Sequence, residues 1–190
     1  MEKRLILITS PPACGKTRLA KRLSAELNNV VYLDKDTLIP LSKQIFKVAH
    51  KPYNRSSAFF QKNIRDYEYE VILNLGYEAI KYADSVIINA PFRREVRDKG
   101  YLEGLRNRFA KLNAKIFIIW ISATPELAYK RMKKRNSDRD KWKLENWDEY
   151  VKTVDFSPPD EIEDLFIFKN STDEESNESF ERLLNHLKDE

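Results

Sequence analysis

The chain has 190 residues, 42% of them hydrophobic and 34% charged, with a formal net charge of +4. That balance suits one globular domain with a sizeable core and excludes a disordered chain; no apolar run approaches the length of a membrane span, so no membrane partner is expected. A single cysteine, Cys14, with two histidines, His50 and His186, excludes a disulfide framework and the usual zinc ligand sets, and a reducing cytoplasm fits.

In chain order, Leu5-Ile6-Leu7-Ile8 is a short apolar run stopped by Pro11-Pro12, which predicts a buried parallel strand. Ser10-Pro11-Pro12-Ala13-Cys14-Gly15-Lys16-Thr17 follows, and then Leu19, Ala20, Leu23 and Leu27 fall on one face of a helix. Strand, tight loop, Gly-Lys-Thr and helix make the context of a phosphate-binding loop, with all eight residues as candidate nucleotide ligands. Backbone N–H groups must converge on phosphate oxygens, so a residue without Cβ is wanted where the chain comes closest, and Gly15 supplies it. Lys16 puts a point charge on the β- and γ-phosphates, Thr17 offers a hydroxyl to Mg2+, and the helix N-terminus adds its partial positive charge. Ser10 stands where the motif has its first glycine, so the pattern is a degenerate one. Cys14 reads as a small residue tolerated in a tight loop.

Val30-Val31-Tyr32-Leu33 predicts a second buried strand, ending in Asp34-Lys35-Asp36-Thr37. Ligands of an open α/β sheet sit at the carboxyl ends of its strands, which makes Asp36 the first candidate for chemistry and Asp34 the second. Capping a helix over Leu41–Ala49 is the structural alternative for Asp36. In the polar connector His50–Ser57, Tyr53, Asn54 and Arg55 are candidate substrate contacts. Ala58–Tyr82 reads as one long helix whose buried face is Ile64, Tyr67, Val71, Leu75 and Ala79.

Ser85–Ala90 predicts a third strand, stopped by Pro91. Phe92, Arg93 and Arg97 follow as substrate candidates, with Arg94 beside them. Those arginines would open a helix, where cations oppose the dipole and so point to an anionic ligand. Lys115–Ile121 is a fourth strand, apolar throughout and hence buried on both faces. Thr124-Pro125-Glu126 is a helix start, and its helix carries Arg131 and Arg135. Asn136–Lys141, with Arg139, reads as a polar loop, which Trp142, Leu144 and Trp147 pin to the body. Leu165–Phe168 is a fifth strand; Asn170 and Ser171 beyond it are counted with the nucleotide-binding residues. Ser171 with Glu174 and Thr172 with Glu175 are overlapping capping boxes before a last helix bearing Phe180, Leu183, Leu184 and Leu187.

Strands alternate with helices throughout, which predicts a single α/β domain over 1–190: a five-stranded parallel sheet sandwiched by helices, of the P-loop NTPase, nucleotide-kinase-like kind, with a small lid near residues 131–150. Charge is uneven. Arg93–Lys115 holds eight basic and three acidic residues, Lys130–Lys143 eight and two, and residues 160–190 three and eleven. A basic middle suits polyphosphate; nucleic acid is the less favoured partner.

A motor or GTPase would want an acidic residue on the strand beside the loop, but the third strand ends in Asn89, and no Asn-Lys-x-Asp guanine signature occurs. A small-molecule kinase needs less: the loop, Mg2+, a base for the acceptor hydroxyl such as Asp36, and arginines closing over the phosphoryl group, for which Arg131, Arg135 and Arg139 are placed.

On these residues the chain resembles the P-loop kinases grouped with zeta toxins, chloramphenicol phosphotransferase and the kinase part of polynucleotide kinase, members of which are often labelled AAA family ATPases. The likeness runs through Ile6–Thr17, Val31–Thr37, Asn89–Arg97 and Trp120–Arg135. It implies ATP- and Mg2+-dependent phosphorylation of a small-molecule hydroxyl, a catalytic base at Asp36, and lid arginines at Arg131 and Arg135. The chain departs from the family at Ser10 and at Asn89, where an aspartate is common; an amide binds Mg2+ less strongly and cannot act as a base. The alternatives are a nucleotide-binding regulatory module without transfer, a polynucleotide 5′-hydroxyl kinase, and phosphorylation of an activated sugar.

Overall fold

The structure, a computed structural model, describes residues 2–160 and 162–189, without the side chains of residues 139 and 189. Strands β1 (Lys3–Thr9), β2 (Val30–Asp34), β3 (Ser85–Asn89), β4 (Ala114–Ser122) and β5 (Leu165–Lys169) form one parallel sheet in the order β2-β3-β1-β4-β5. Helices α1 (Lys16–Glu26), α2 (Ile39–Val48), α3 (Ala58–Asn63), α4 (Arg65–Ala79), α5 (Lys99–Ala110), α6 (Pro125–Arg135), α7 (Lys141–Glu145), α8 (Trp147–Lys152) and α9 (Asp173–Asp189) connect and follow the strands. Among the described residues no helix is long and apolar enough to cross a membrane.

The period of two along the strands divides the core. Leu5, Leu7, Val86, Ile88, Ile116, Ile118 and Trp120 face α4 and α5, meeting Tyr69, Ile72, Leu102, Leu105 and Phe109. Ile6, Ile8, Ile87, Phe117, Ile119 and Ile121 face α1 and α9, meeting Leu19, Leu23, Phe180, Leu183 and Leu187. Both faces of β1, β3 and β4 are covered, so these strands read as continuous apolar runs. After β1 the chain leaves across one face toward β2; after β3 it leaves across the other toward β4. The carboxyl ends of β1 and β3 therefore flank the crevice at which such sheets take ligands. Two satellite clusters wall that end. Phe46, Phe60 and Ile64 pack on the α2–α3 side, and Ala128, Met132, Tyr150 and Val154 on the α6–α8 side.

Three expectations are corrected. The single helix over Ala58–Tyr82 is two helices, broken at Ile64 (φ −130°, ψ −44°). Of its expected buried face, Tyr67, Val71 and Leu75 are exposed, and the core instead takes Tyr69, Ile72, Leu73, Gly76 and Ile80. Gly76 sets that rotation: a Cβ there would lie 2.8 Å from Ile88 Cδ1, so the helix approaches the sheet by its bare backbone. After Pro91 no helix opens on the arginines. A turn leads to a 3-10 segment, Glu95–Arg97, and Asp98 caps α5 by accepting from the Tyr101 N–H at 3.0 Å. Arg93 and Arg94 thus stand clear of the α5 N-terminus, with Arg94 at the N-cap of the 3-10 segment. Asn136–Lys141 is not a plain polar loop, since it contains a 3-10 turn, Asp138–Asp140, with Asp140 wholly buried.

Candidate functional site

Between β1 and α1 the chain turns through Ala13 (φ +62°) and Gly15 (φ +108°). Gly15 is required twice over. Its φ lies in the left-handed region, and a Cβ would come within 2.3 Å of Asn170 Nδ2. No side chain caps α1, and its first turn carries no acidic residue, which leaves the orphan N–H groups turned toward an outside ligand. Ser10 has no left-handed φ, so the loop does not need glycine's freedom there. Its buried hydroxyl donates to the Pro11 carbonyl (2.7 Å) and accepts from Lys16 Nζ (3.0 Å). Lys16 also donates to the carbonyls of Ser10 (3.3 Å) and Pro11 (3.1 Å). Burial pushes its pKa down to about 8, against the opposing pull of Cys14 and Asp36.

The nucleotide-binding candidates sort into two groups. Pro12, Ala13, Gly15, Lys16, Thr17 and Arg131 face a cavity of about 740 Å3 at the carboxyl end of the sheet. Ser10, Pro11, Cys14 and Asn170 stand behind the loop. Asn170 Nδ2 donates to the Cys14 carbonyl (2.6 Å), Arg131 donates to that carbonyl (3.3 Å) and to the Asn170 carbonyl (2.9 Å), and Asn170 is itself buried. These contacts shape the cradle rather than line it. Ser171 is exposed, and its N–H donates to Glu175, whose own N–H donates to Thr172 Oγ1. The cap of α9 is thus built on the Thr172 pattern. Burial pushes the Cys14 thiol up, which keeps it protonated and unreactive.

Across the crevice, the β2 end carries Asp34 and Asp36. Helix capping, the structural alternative for Asp36, belongs to Asp34: its Oδ1 accepts from the Asp36 N–H (2.9 Å) and nucleates the 3-10 turn Lys35–Leu38. Asp34 Oδ2 accepts from Tyr32 Oη (2.7 Å) and Asn89 Nδ2 (2.8 Å), and the same amide reaches Thr17 Oγ1 at 3.0 Å. Burial and the Asp34 carboxylate push Tyr32 up to about 12, so the phenol keeps its proton and donates it. Asp36 is half-buried and lines the cavity.

Of the other candidates, Arg55 lines the cavity with its guanidinium on Glu68 (2.6 and 2.8 Å). Tyr53 packs edge-on against Phe46, and Asn54 Oδ1 accepts from the Ser56 N–H, so neither reaches the cavity. Phe92 is wholly buried against Tyr69 and is a core anchor, not a substrate contact. Arg93 lines the cavity; Arg97 does too, while holding the Ser157 carbonyl (2.6 Å) and Asp155 (3.0 Å). Arg135 is fixed on Asp140 (2.9 Å from Nε). The side chain of Arg139 lies outside the described residues.

Sequence reasoning missed Lys35, Glu68, Arg65 and Asp140. Lys35, Arg65 and Asp140 line the cavity, and Glu68 holds two of its cations from behind. Periodicity assigns polar residues to the solvent face, and only Asp140's place within a basic run gave a signal. Among the described residues, eleven basic and four acidic side chains line the cavity, which therefore favours anions.

Comparison with known proteins agrees with this geometry. Residues 5–159 match the family described as "AAA domain". No curated protein matches. Among solved structures, a Chloroflexus aurantiacus protein provisionally assigned as a kinase is 18% identical, covers 98% of this chain and 99% of its own, and superposes with a TM-score of 0.67. A Sinorhizobium meliloti gluconokinase is 14% identical, with 98% and 95% covered and a TM-score of 0.55. Mycobacterium tuberculosis APS kinase CysC, solved in complex with AMPPNP and APS, is 11% identical, with 98% of each chain covered and a TM-score of 0.56. At these identities the likeness is one of fold: a P-loop NTPase of the nucleotide-kinase-like kind.

Proposed function

We propose that the chain, which belongs to the AAA domain family, is an ATP-dependent phosphotransferase acting on a hydroxyl of a small molecule. One observation carries the reading. The open N-terminus of α1, with Lys16 and Thr17, and the Asp36 carboxylate line a single cavity from opposite sides of the β1–β3 crevice. The fold likeness to a gluconokinase and an APS kinase is consistent with it.

In this reading the triphosphate lies along the loop, held by backbone N–H groups and Lys16, with Arg131 over it. The acceptor oxygen forms a bond to the γ-phosphorus as the bond from that phosphorus to the β–γ bridging oxygen breaks; ADP leaves, and the hydroxyl proton passes to Asp36. The segment near 131–150 acts as a lid that excludes water, which would otherwise take the phosphoryl group. The residues present fit Mg2+. Thr17 Oγ1 and Asp34 Oδ2 are oxygen donors within reach of one Asn89 amide, and a magnesium site keeps most of its ligands as water and phosphate. When bound, the ion supplies charge neutralisation on the phosphates. A reducing cytoplasm suits the single buried thiol. A nucleotide-binding regulator without transfer is the second reading, favoured by Asn89 in place of an acid.

The test is ADP release from ATP and Mg2+ over a panel of hydroxyl acceptors. Lys16→Ala should abolish turnover, and unchanged activity would sink the phosphate-loop assignment. Asp36→Asn should leave ATP affinity nearly intact while lowering turnover ~10²-fold or more, as for loss of a general base. Loss of ATP binding instead makes Asp36 structural. Tight ATP binding with no acceptor-stimulated turnover favours the regulator.

A further inference from the structure

We propose that the phosphoryl acceptor carries an anionic group, a carboxylate or phosphate ester, besides its hydroxyl, and that Arg93 is the residue that binds it. The inference rests on the kinase reading above and narrows its substrate.

The cavity is rich in cations, but most are already neutralised. Lys35 and Arg55 share Glu68, Arg65 bridges Asp66 and Glu95, Arg97 holds Asp155, and Arg135 holds Asp140. Lys16 and Arg131 rest on carbonyl and hydroxyl oxygens of the phosphate loop and of Asn170, which places them on the nucleotide side. Arg93 differs from all of these. It is half-buried, it lines the cavity, and it makes no hydrogen bond or ion pair with any described residue. Partial burial of a cation without a partner is unfavourable, and an incoming carboxylate or phosphate accepts a guanidinium fork with two parallel bonds. Arg94, on the same turn, donates to the neutral Gln61 amide (2.7 Å) and to no other described residue.

The turn that presents Arg93 is fixed on both sides. Pro91's carbonyl accepts from Thr9 Oγ1, and the buried Phe92, at φ +46°, donates its N–H to Tyr69 Oη (3.3 Å). An arginine held ready in this way loses little freedom when it binds. Its position selects the acceptor over the nucleotide. Arg93 follows the end of β3, whose neighbour β2 leads into the turn that holds Asp36, whereas the nucleotide's cations come from the loop after β1 and from α6 after β4. Arg93 lines the same cavity as Lys16 and Asp36. The anion it binds therefore shares the space of the transfer, as in a small acceptor whose anionic group is a few bonds from its hydroxyl.

The experiment is calorimetric titration of the full chain, first with AMPPNP and Mg2+, then, once the loop is saturated, with inorganic phosphate and separately with glycerate. Both anions stand in for the acceptor's charged group. The expected result is binding of at least one, weakened roughly tenfold or more by Arg93→Gln, with AMPPNP affinity changed less than about threefold. Arg93→Lys, which keeps the charge but loses the fork, should bind the anion with intermediate affinity, and it carries the test if the glutamine variant does not fold. Tighter phosphate points to a phosphate ester, tighter glycerate to a carboxylate. The proposal is overturned if the loaded protein binds neither anion, or if Arg93→Gln weakens AMPPNP and spares the anion, which would assign Arg93 to the nucleotide. Failure of AMPPNP to bind at all is seen before any anion is added, and counts against the kinase reading itself.

Discussion

The two walls of the cavity are each built on a buried carboxylate held by two cations, and they differ in where those cations come from. On the α2–α4 side Glu68 accepts from Lys35 (2.6 Å), from Arg55 (2.6 and 2.8 Å) and from the Ser42 hydroxyl, which lie 33, 13 and 26 residues away in sequence. One side chain on α4 thus ties together the β2 end, α2 and the connector before α3. On the other side Asp140 accepts from Arg135 (2.9 Å) and Lys143 (3.4 Å), only five and three residues away. It folds the α6–α7 turn onto itself. That wall meets the body through Arg131 on the Cys14 and Asn170 carbonyls and through Arg97 on Ser157 and Asp155. One wall is part of the body; the other is a locally closed unit, which suits the lid proposed near residues 131–150.

Removing the long-range carboxylate should cost most. Glu68→Gln leaves Lys35 and Arg55 buried beside a neutral amide, at ~3 kcal/mol, for a Tm fall of about 6–12 °C in a chain this size. A shift under about 2 °C would mean that the triad is not what fastens the wall. Acid should erase the difference. Burial raises the Glu68 carboxyl, but its bonds to Arg55, Lys35 and Ser42 outweigh that and hold it below its ordinary range. The folded state then binds fewer protons than the unfolded one. The Glu68 contribution is complete above the unfolded carboxyl pKa of about 4.3 and is lost as pH falls through the lower folded value. Melts of wild type and Glu68→Gln should therefore converge in acid.

Asp140→Asn should destabilise by a smaller ~1–2 kcal/mol, because its partners are local and reach solvent more easily. Its effect on turnover should exceed its effect on Tm, since Arg135 loses its anchor at the cavity. Equal losses in both would mean that the second wall is as much a part of the body as the first. Thr124→Ala, removing the cap at the far end of the same wall, should cost about 0.5–1 kcal/mol and leave nucleotide affinity unchanged; a fall in affinity would show that α6 frays into the site.

The architecture was legible because it rests on local patterns. All five strands follow from apolar runs, and the phosphate loop from Gly15-Lys16-Thr17 in its strand-to-helix setting. The Thr124 cap likewise follows from Thr124-Pro125-Glu126. What escaped depends on partners far away in the sequence. The α4 register is fixed by the contact of Gly76 with Ile88, which turns the stripe Tyr67-Val71-Leu75 to the surface. Glu68 in a run of tyrosines gives no hint that two cations converge on it. The cap weighed as the structural alternative for Asp36 falls to Asp34, because either carboxylate could begin the turn. Ser10 looked like a defect in the motif, yet its backbone conformation suits any residue, and its hydroxyl holds Lys16.

The contact between Gly15 and Asn170 has a consequence for when the loop becomes functional. The amide that holds the Cys14 carbonyl, and against which the bare face of Gly15 rests, is 156 residues further along the chain, beyond the family-matched segment 5–159. During synthesis the phosphate loop therefore leaves the ribosome long before its clamp has been made. Its final shape must wait until β5 docks beside β4, so a measured nucleotide affinity should report that the whole sheet has closed.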